Sequence, residues 1–259
     1  MRPTVDIFGR QIATYGLLFV AGLYLALALF VFFAPRRGIN RARAFLVAVL
    51  GIIGGLIGAR LLFVISHAGL LAEAVSVGEW TLVLRLFFEG GLVFFGGLIG
   101  GLLTALLAAA KLKLPRIDLA DVAAPAVSLG QAIGRVGCHF AGCCYGVESD
   151  TCGIVFPEGG LAPHGVSLFP TQLTESFFML LLAGVLVLVM LRGKRGLAAS
   201  LYLIAYGVFR FIIEFFRGDQ IRGFLGPLST SQWIALGAFA FGIWLFIRNK
   251  KRAACRTDE

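Results

Sequence analysis

The chain has 259 residues, 59% of them hydrophobic and 14% charged, with a formal net charge of +9. A soluble domain carries about a quarter of its residues as charged side chains, so this balance excludes one and identifies an integral membrane protein. The positive charge would suit a nucleic acid, but the basic residues are sorted loop by loop rather than gathered in a patch, and no nucleic-acid partner is expected.

A helix needs about 20 apolar residues to cross ~30 Å of hydrocarbon. By that measure the chain is expected to be all-α, a single polytopic membrane domain over 1–259. Its seven spans fall near 13–34, 44–66, 91–110, 119–138, 171–191, 197–216 and 228–247. The first span is followed, not preceded, by its positive cluster, which argues for a retained helix over a cleaved signal peptide. Tyr15 lies at its start. Span 2 contains Arg60 and the glycines Gly51, Gly54, Gly55 and Gly58, while span 3 carries Phe95 and Gly96, Gly97, Gly100 and Gly101. These interleaved small-xxx-small pairs are expected to let two backbones approach closely, and the second set is placed where it could also admit an acyl chain. Span 4 ends on Arg135, span 5 opens with Gln172 and Glu175, and span 6 holds Arg210. The longest interruptions are 67–90 and 139–170.

Arg36, Arg37, Arg41 and Arg43 follow span 1, and Lys111, Lys113 and Arg116 follow span 3. Arg192, Lys194 and Arg195 follow span 5, and Arg248, Lys250, Lys251, Arg252 and Arg256 follow span 7. Those 15 of 23 basic residues mark one face as cytoplasmic, which puts the N-terminus outside and the C-terminus inside. Arg60, Arg135 and Arg210 then all fall late in outward-running spans, in the outer half of the bilayer. A guanidinium stays charged at any reachable pH and is costly in hydrocarbon. Three at one depth, level with Tyr15, Gln172 and Glu175, point to an outer-leaflet anion site.

Span 6 sharpens that expectation. Tyr202, Tyr206, Arg210 and Glu214 recur every four residues, with Arg217 close to the same stripe. Glu214 is expected to pair with Arg210 or Arg217 and leave the other for a bidentate phosphate contact. Arg60, Arg135, Arg210 and Arg217 outnumber Glu175 and Glu214, which favours an anionic ligand.

Cys138, Cys143, Cys144 and Cys152 crowd the outer loop. In an oxidising compartment a disulfide is expected, for example Cys152 with Cys143 or Cys144. A metal or redox site, completed by His139 and His164, is an alternative, and a nucleophilic Cys138 beside Arg135 is another. Cys255, in the basic tail, reads as a free thiol.

The run Gly134-Arg135-Val136-Gly137-Cys138-His139-Phe140-Ala141-Gly142-Cys143-Cys144-Tyr145-Gly146 is the most specific local sequence. With Tyr15-Gly16-Leu17, Gly58-Ala59-Arg60, Phe95-Gly96-Gly97-Leu98-Ile99-Gly100, Pro170-Thr171-Gln172-Leu173-Thr174-Glu175 and Phe209-Arg210 through Glu214 to Arg217, it resembles the prolipoprotein diacylglyceryl transferase family. The resemblance runs in order along nearly the whole chain. It implies a seven-span bacterial inner-membrane enzyme that moves diacylglyceryl from phosphatidylglycerol to the lipobox cysteine of a prelipoprotein, releasing glycerol phosphate. It also implies functional roles for Arg135, Arg210, Glu214 and Tyr15.

Four positions depart from the family pattern. Phe95 and Phe169 stand where the family has histidines, Cys138 where it has asparagine, and Cys143 where it has glutamate. The expected catalytic set is therefore Arg135, Arg210 and Glu214, with His139 or Cys138 filling the chemical gap. Tyr15, Arg60, Gly134, Gly137, Gln172, Glu175, Tyr206 and Arg217 are expected to bind the substrate. Phosphatidylglycerol, a lipobox prelipoprotein or other thiol acceptor, and membrane lipids are the expected partners, with no cofactor. A diverged member with another acceptor, a cysteine-based redox or metal protein, and a lipid-binding protein on the same scaffold are the rival readings.

Overall fold

The computed structural model describes residues 4–7, 9–88, 91, 93–158, 160–219 and 223–254; Cys255 and Arg256 lie outside the described residues. It is helical, with three small antiparallel strand pairs. Helices lie over all seven predicted stretches: α1 (Thr14–Phe33), α2 (Arg41–Ser66), α5 (Phe94–Lys111), α6 (Arg116–Ala141), α7 (Thr171–Arg192), α8 (Leu197–Ile213) and α9 (Thr230–Ala254). Two short helices, α3 (Ala68–Ser76) and α4 (Trp80–Phe88), fill the first predicted interruption. Six of the long helices have the length and apolar composition to cross a membrane. The remaining one, α6, is 26 residues long but carries Asp118, Asp121 and Arg135 and a proline, Pro125, within it. The strand pair Thr4–Ile7 with Arg10–Ala13, just ahead of α1, carried no signal in the hydropathy pattern.

The chain divides into two compact units, one of residues 38–116 and one of residues 1–37 with 117–259. In the first, α2 and α5 meet along their glycines. A Cβ at Gly58 would overlap the carbonyl oxygen of Gly96, and one at Gly54 would lie 2.9 Å from the carbonyl oxygen of Gly100. The glycines of α5 thus hold the backbone of α2, as expected of small-xxx-small packing. The opposite side of α5, with Leu98, Ile99, Leu102, Leu103 and Leu106, is exposed, as a lipid-facing surface would be. Gly58→Ala is expected to cost about 1–3 kcal/mol, because the added methyl meets backbone rather than a side chain that can turn away. A lowered unfolding midpoint in detergent would register the loss, whereas Gly69→Ala, with nothing within 4 Å of the new methyl, should leave the midpoint unchanged.

In the second unit, α1 packs on α6 through a similar close approach: a Cβ at Gly22 would lie 3.2 Å from the carbonyl oxygen of Gly130. The start of α6 is tied to the start of α8 by Asp121, which is fully buried. Its carboxylate accepts from the backbone N–H groups of Gly196, at 2.6 Å, and Ala199, at 3.0 Å, so a residue of one helix caps another. Arg37 compensates the charge at 3.2 Å and donates to the Met190 carbonyl at 2.9 Å. This clamp fixes one end of α6, α7 and α8, and the site described next occupies their other end.

Candidate active site

The last turns of α6 and α8 and the first turns of α7 bring together an unbroken chain of charges. Glu175, buried on α7, takes Arg135 Nε on one carboxylate oxygen at 2.5 Å and Arg210 on the other at 2.7 Å. Arg210 reaches Glu214 one turn along α8 at 2.9 Å and donates to the Ser231 hydroxyl at 3.3 Å. Glu214 also faces Arg217 at 3.8 Å and accepts from the Ser229 hydroxyl at 2.9 Å. Arg217 closes the series with a two-point contact to Asp219, at 3.0 and 2.7 Å.

Three guanidinium groups therefore alternate with three carboxylates. The sequence stripe pointed to Glu214 and its neighbours on α8, but Glu214 faces both Arg210 and Arg217 instead of choosing one. Asp219 and Ser229 were missed; the only signal for Asp219 was its position two residues after Arg217. With Asp219 included, the cations of this charge chain no longer outnumber its anions among the described residues. The distinguishing feature of Arg135 is geometric: its ion pair runs through Nε, and its side chain is 23% exposed against 8% for Arg210. A guanidinium whose ion pair runs through Nε keeps its terminal amino groups as the planar fork that matches a phosphate.

The loop after α6 is sewn to both neighbouring helix ends. Gly146 N–H donates to the Phe169 carbonyl, Val147 N–H to that of Phe216, and Gly218 N–H to that of Tyr145, at 3.1, 3.0 and 3.0 Å. Thr171 and Gln172, on the first turn of α7, donate to the carbonyls of Cys144 and Cys143 at 2.6 and 2.8 Å. These bonds hold a tight reversal in which Gly142 and, unusually for a residue with a Cβ, Cys144 have left-handed backbone, with φ of 70° and 59°. The reversal turns two consecutive cysteines back toward the end of α6. The sulfur atoms of Cys138, Cys143 and Cys144 all lie within 4.8 Å of one another. Hydrogen bonds from the thiols of Cys138 and Cys143 hold the Cys144 thiol well below the usual thiol range, against the effect of burial and aided by Arg217 and Arg135. The same sharing with Cys138 and Cys144 pushes the Cys143 thiol up.

Other predicted residues fall into distinct places. Gly137 faces Tyr15: a Cβ there would meet the phenol ring at 3.2 Å, so this glycine lets Tyr15 lie against α6. Gly134 borders open space. Tyr206 stacks on Tyr202, whose hydroxyl donates to Gln131 at 2.9 Å, and is an electrostatic neighbour of Arg135. Gln172, fully buried, serves the cysteine loop. His139 is buried against Phe140 and Phe156, the latter in the small core that Phe156 forms with Ala162 and Leu168 in the loop after α6. Cys152 and His164 are exposed and outside the thiol group. The four cysteines are free thiols. Arg60 and Phe95 belong to the other unit, where Arg60 donates to the Gly91 carbonyl at 3.3 Å and lies over the Phe63 ring.

Comparison with known proteins agrees with the sequence resemblance. A family model described as prolipoprotein diacylglyceryl transferase matches residues 3–248. The chain is 38% identical over 256 residues to phosphatidylglycerol–prolipoprotein diacylglyceryl transferase 2 of Clostridium perfringens, covering 98% of this chain and 97% of that one. It is 36% identical over 249 residues to the corresponding protein of Clostridium tetani, covering 95% and 97%. The Geobacter sulfurreducens protein of the same name is 33% identical over 254 residues, with 92% and 91% covered.

Proposed function

The chain belongs to the prolipoprotein diacylglyceryl transferase family, and on that premise we propose that it transfers diacylglyceryl from phosphatidylglycerol to the cysteine thiol of a prelipoprotein, releasing glycerol phosphate. Phosphatidylglycerol is a phosphodiester with one negative charge, and the glycerol phosphate that leaves approaches two. The transition state therefore gains charge on the phosphate oxygens, and fixed donors in a low-dielectric site stabilise it there. The open fork of Arg135, anchored through Nε on Glu175, carries this reading. Arg210 holds the other oxygen of Glu175, and Glu214, itself held by Ser229, holds Arg210. Tyr15, against Gly137, and Tyr206, an electrostatic neighbour of Arg135, supply phenols to this face.

The topology that goes with the reaction has seven crossings, α6 included, with the N-terminus outside and the C-terminus in the cytoplasm of a bacterial cell. The ends of α6 and α8 and the start of α7 share one level with the charge chain. The opposite ends carry Arg37, Arg192, Lys194 and Arg195, the basic residues that mark the cytoplasmic face. This distribution supports a reaction at the outer leaflet, where a secreted acceptor arrives.

A covalent route through Cys138 is unfavourable on chemical grounds. It would create the same kind of C–S bond as the product, and its second step would have to expel a thiolate, with pKa near 8.5, from an unactivated carbon. A phosphate monoester, with its second pKa near 6, is the better leaving group. Direct attack by the acceptor thiolate needs only that one departure. Purified protein in nanodiscs containing phosphatidylglycerol, given a lipobox peptide, is expected to release glycerol phosphate as the peptide gains the mass of one diacylglyceryl group. Release without peptide modification, or no release, would refute the reading.

A further inference from the structure

Direct transfer leaves one requirement unmet: the acceptor thiol attacks as thiolate, and something must remove its proton. Among the described residues of this unit, the carboxylates of Glu175, Glu214 and Asp219 are all engaged by arginines. His139 is buried in an aromatic core. What the site does offer, beside Arg135, is three sulfur atoms.

We infer that Cys138, Cys143 and Cys144 form a three-thiolate site for one zinc ion, whose open fourth position takes the acceptor thiol and holds it as thiolate for the transfer. The proposal rests on the transferase reading. The three sulfurs already lie within 4.8 Å of one another, and tetrahedral zinc with Zn–S bonds of ~2.3 Å needs them about 3.8 Å apart, so shifts of an ångström or less complete the set. All three cysteines are partly exposed rather than sealed in the core. The spacing is not the usual separated pair, and consecutive cysteines would ordinarily point apart. Here the left-handed backbone at Cys144 brings them together, and Thr171 and Gln172 fix the carbonyls on either side. A backbone conformation that is unfavourable for a side-chain-bearing residue, and held in place by its surroundings, is the kind of strain that clusters at functional sites.

Position supports a chemical role over a purely structural one. Cys138 stands one turn after Arg135 on α6, and Cys138 and Cys144 are both electrostatic neighbours of that guanidinium. A zinc ion with three thiolates has one net negative charge, which Arg135 and Arg217 face. The order of events balances. The acceptor thiol binds zinc and releases its proton to water, since a coordinating thiol is deprotonated outright. Its sulfur then attacks the glyceryl carbon that carries the phosphate ester. The C–S bond forms, the C–O bond breaks, and the electron pair leaves on the phosphate oxygen with glycerol phosphate. The thioether is a weaker ligand than the thiolate and departs, and zinc undergoes no redox change.

The test uses the full chain purified in detergent without chelators. Elemental analysis is expected to give one zinc per chain, with an X-ray absorption shell of three sulfurs that rises to four when lipobox peptide is added. Cobalt(II) exchanged into the wild-type protein should show sulfur-to-cobalt charge-transfer bands that change with the peptide, a readout that needs no variant to fold. Cys143→Ser should lose the metal, and Cys152→Ser should keep it. Removing zinc should lower turnover by about 10²-fold or more, the low end of what a positioned base contributes, and adding Zn²⁺ back should restore it. A chain that carries copper or no metal, a stoichiometric disulfide among the three cysteines, or a metal-free protein with undiminished turnover would overturn the zinc site and leave the transferase reading standing. Full zinc occupancy with the peptide-dependent fourth sulfur, but no glycerol phosphate release, would instead uphold the site and refute the transferase reading.

Discussion

Arg135→Ala is expected to lower phosphatidylglycerol-dependent release of glycerol phosphate by about 10²- to 10³-fold, the loss typical of removing one preorganised donor aimed at developing negative charge. It should do so with little change in the unfolding midpoint. The two halves of that expectation have one cause. Arg135 contributes to the charge chain only at its end, through Nε, and Glu175 keeps Arg210 when Arg135 is gone. The open fork serves the ligand more than the fold. Arg135→Lys should rescue poorly, because an ammonium can replace the Nε contact or reach the phosphate but cannot do both with a planar fork. Steady-state rates in nanodiscs, read beside thermal unfolding, check both halves. Wild-type turnover in the alanine variant would remove Arg135 from the phosphate site, and a collapsed midpoint would make it a structural ion-pair partner.

The contrast between Arg135 and Arg210 also shows where the sequence stopped being informative. Helix positions were legible because apolar runs of about 20 residues are a strong signal, and even α6 could be found by tolerating an interior arginine. The four-residue stripe on α8 placed Arg210 beside Glu214 correctly, since that contact lies within one helix. Which helices face each other was not legible. Nothing in the spacing of α7 says that Glu175 is shared between arginines of α6 and α8, so a central carboxylate was read as one more substrate-binding residue.

Arg60 belongs to the other compact unit, where it donates to the Gly91 carbonyl. His139 looked available for proton transfer because it adjoins Cys138, but neighbouring residues on a helix point about 100° apart, and its ring enters the aromatic core around Phe156. The thiol group was hidden for the opposite reason. Cys143 and Cys144 converge through a left-handed turn that no periodicity encodes, although Gly142 just before them marks where the helix ends.

Glu175→Gln is expected to be the most damaging single substitution in the protein, costing about 3–5 kcal/mol, as when one partner of a buried ion pair is removed, along with nearly all turnover. Glutamine keeps the shape and one acceptor oxygen but withdraws the negative charge that both Arg135 and Arg210 face. Arg210 is 8% exposed, so it cannot recover the difference from water. Glu214 would then face both Arg210 and Arg217, the latter shared with Asp219. A charge-balancing second change separates stability from function. In Glu175→Gln with Arg210→Gln the buried pair becomes two amides able to hydrogen-bond each other, so much of the lost stability should return, a non-additive coupling of the kind expected for residues in contact. Activity should not return, because Arg135 would still lack its anchor. The four unfolding midpoints of the double-mutant cycle, measured in one detergent, test this directly. Additive losses would mean that Glu175 and Arg210 act independently, and recovered turnover in the double variant would show that the position of Arg135 is set by something other than Glu175.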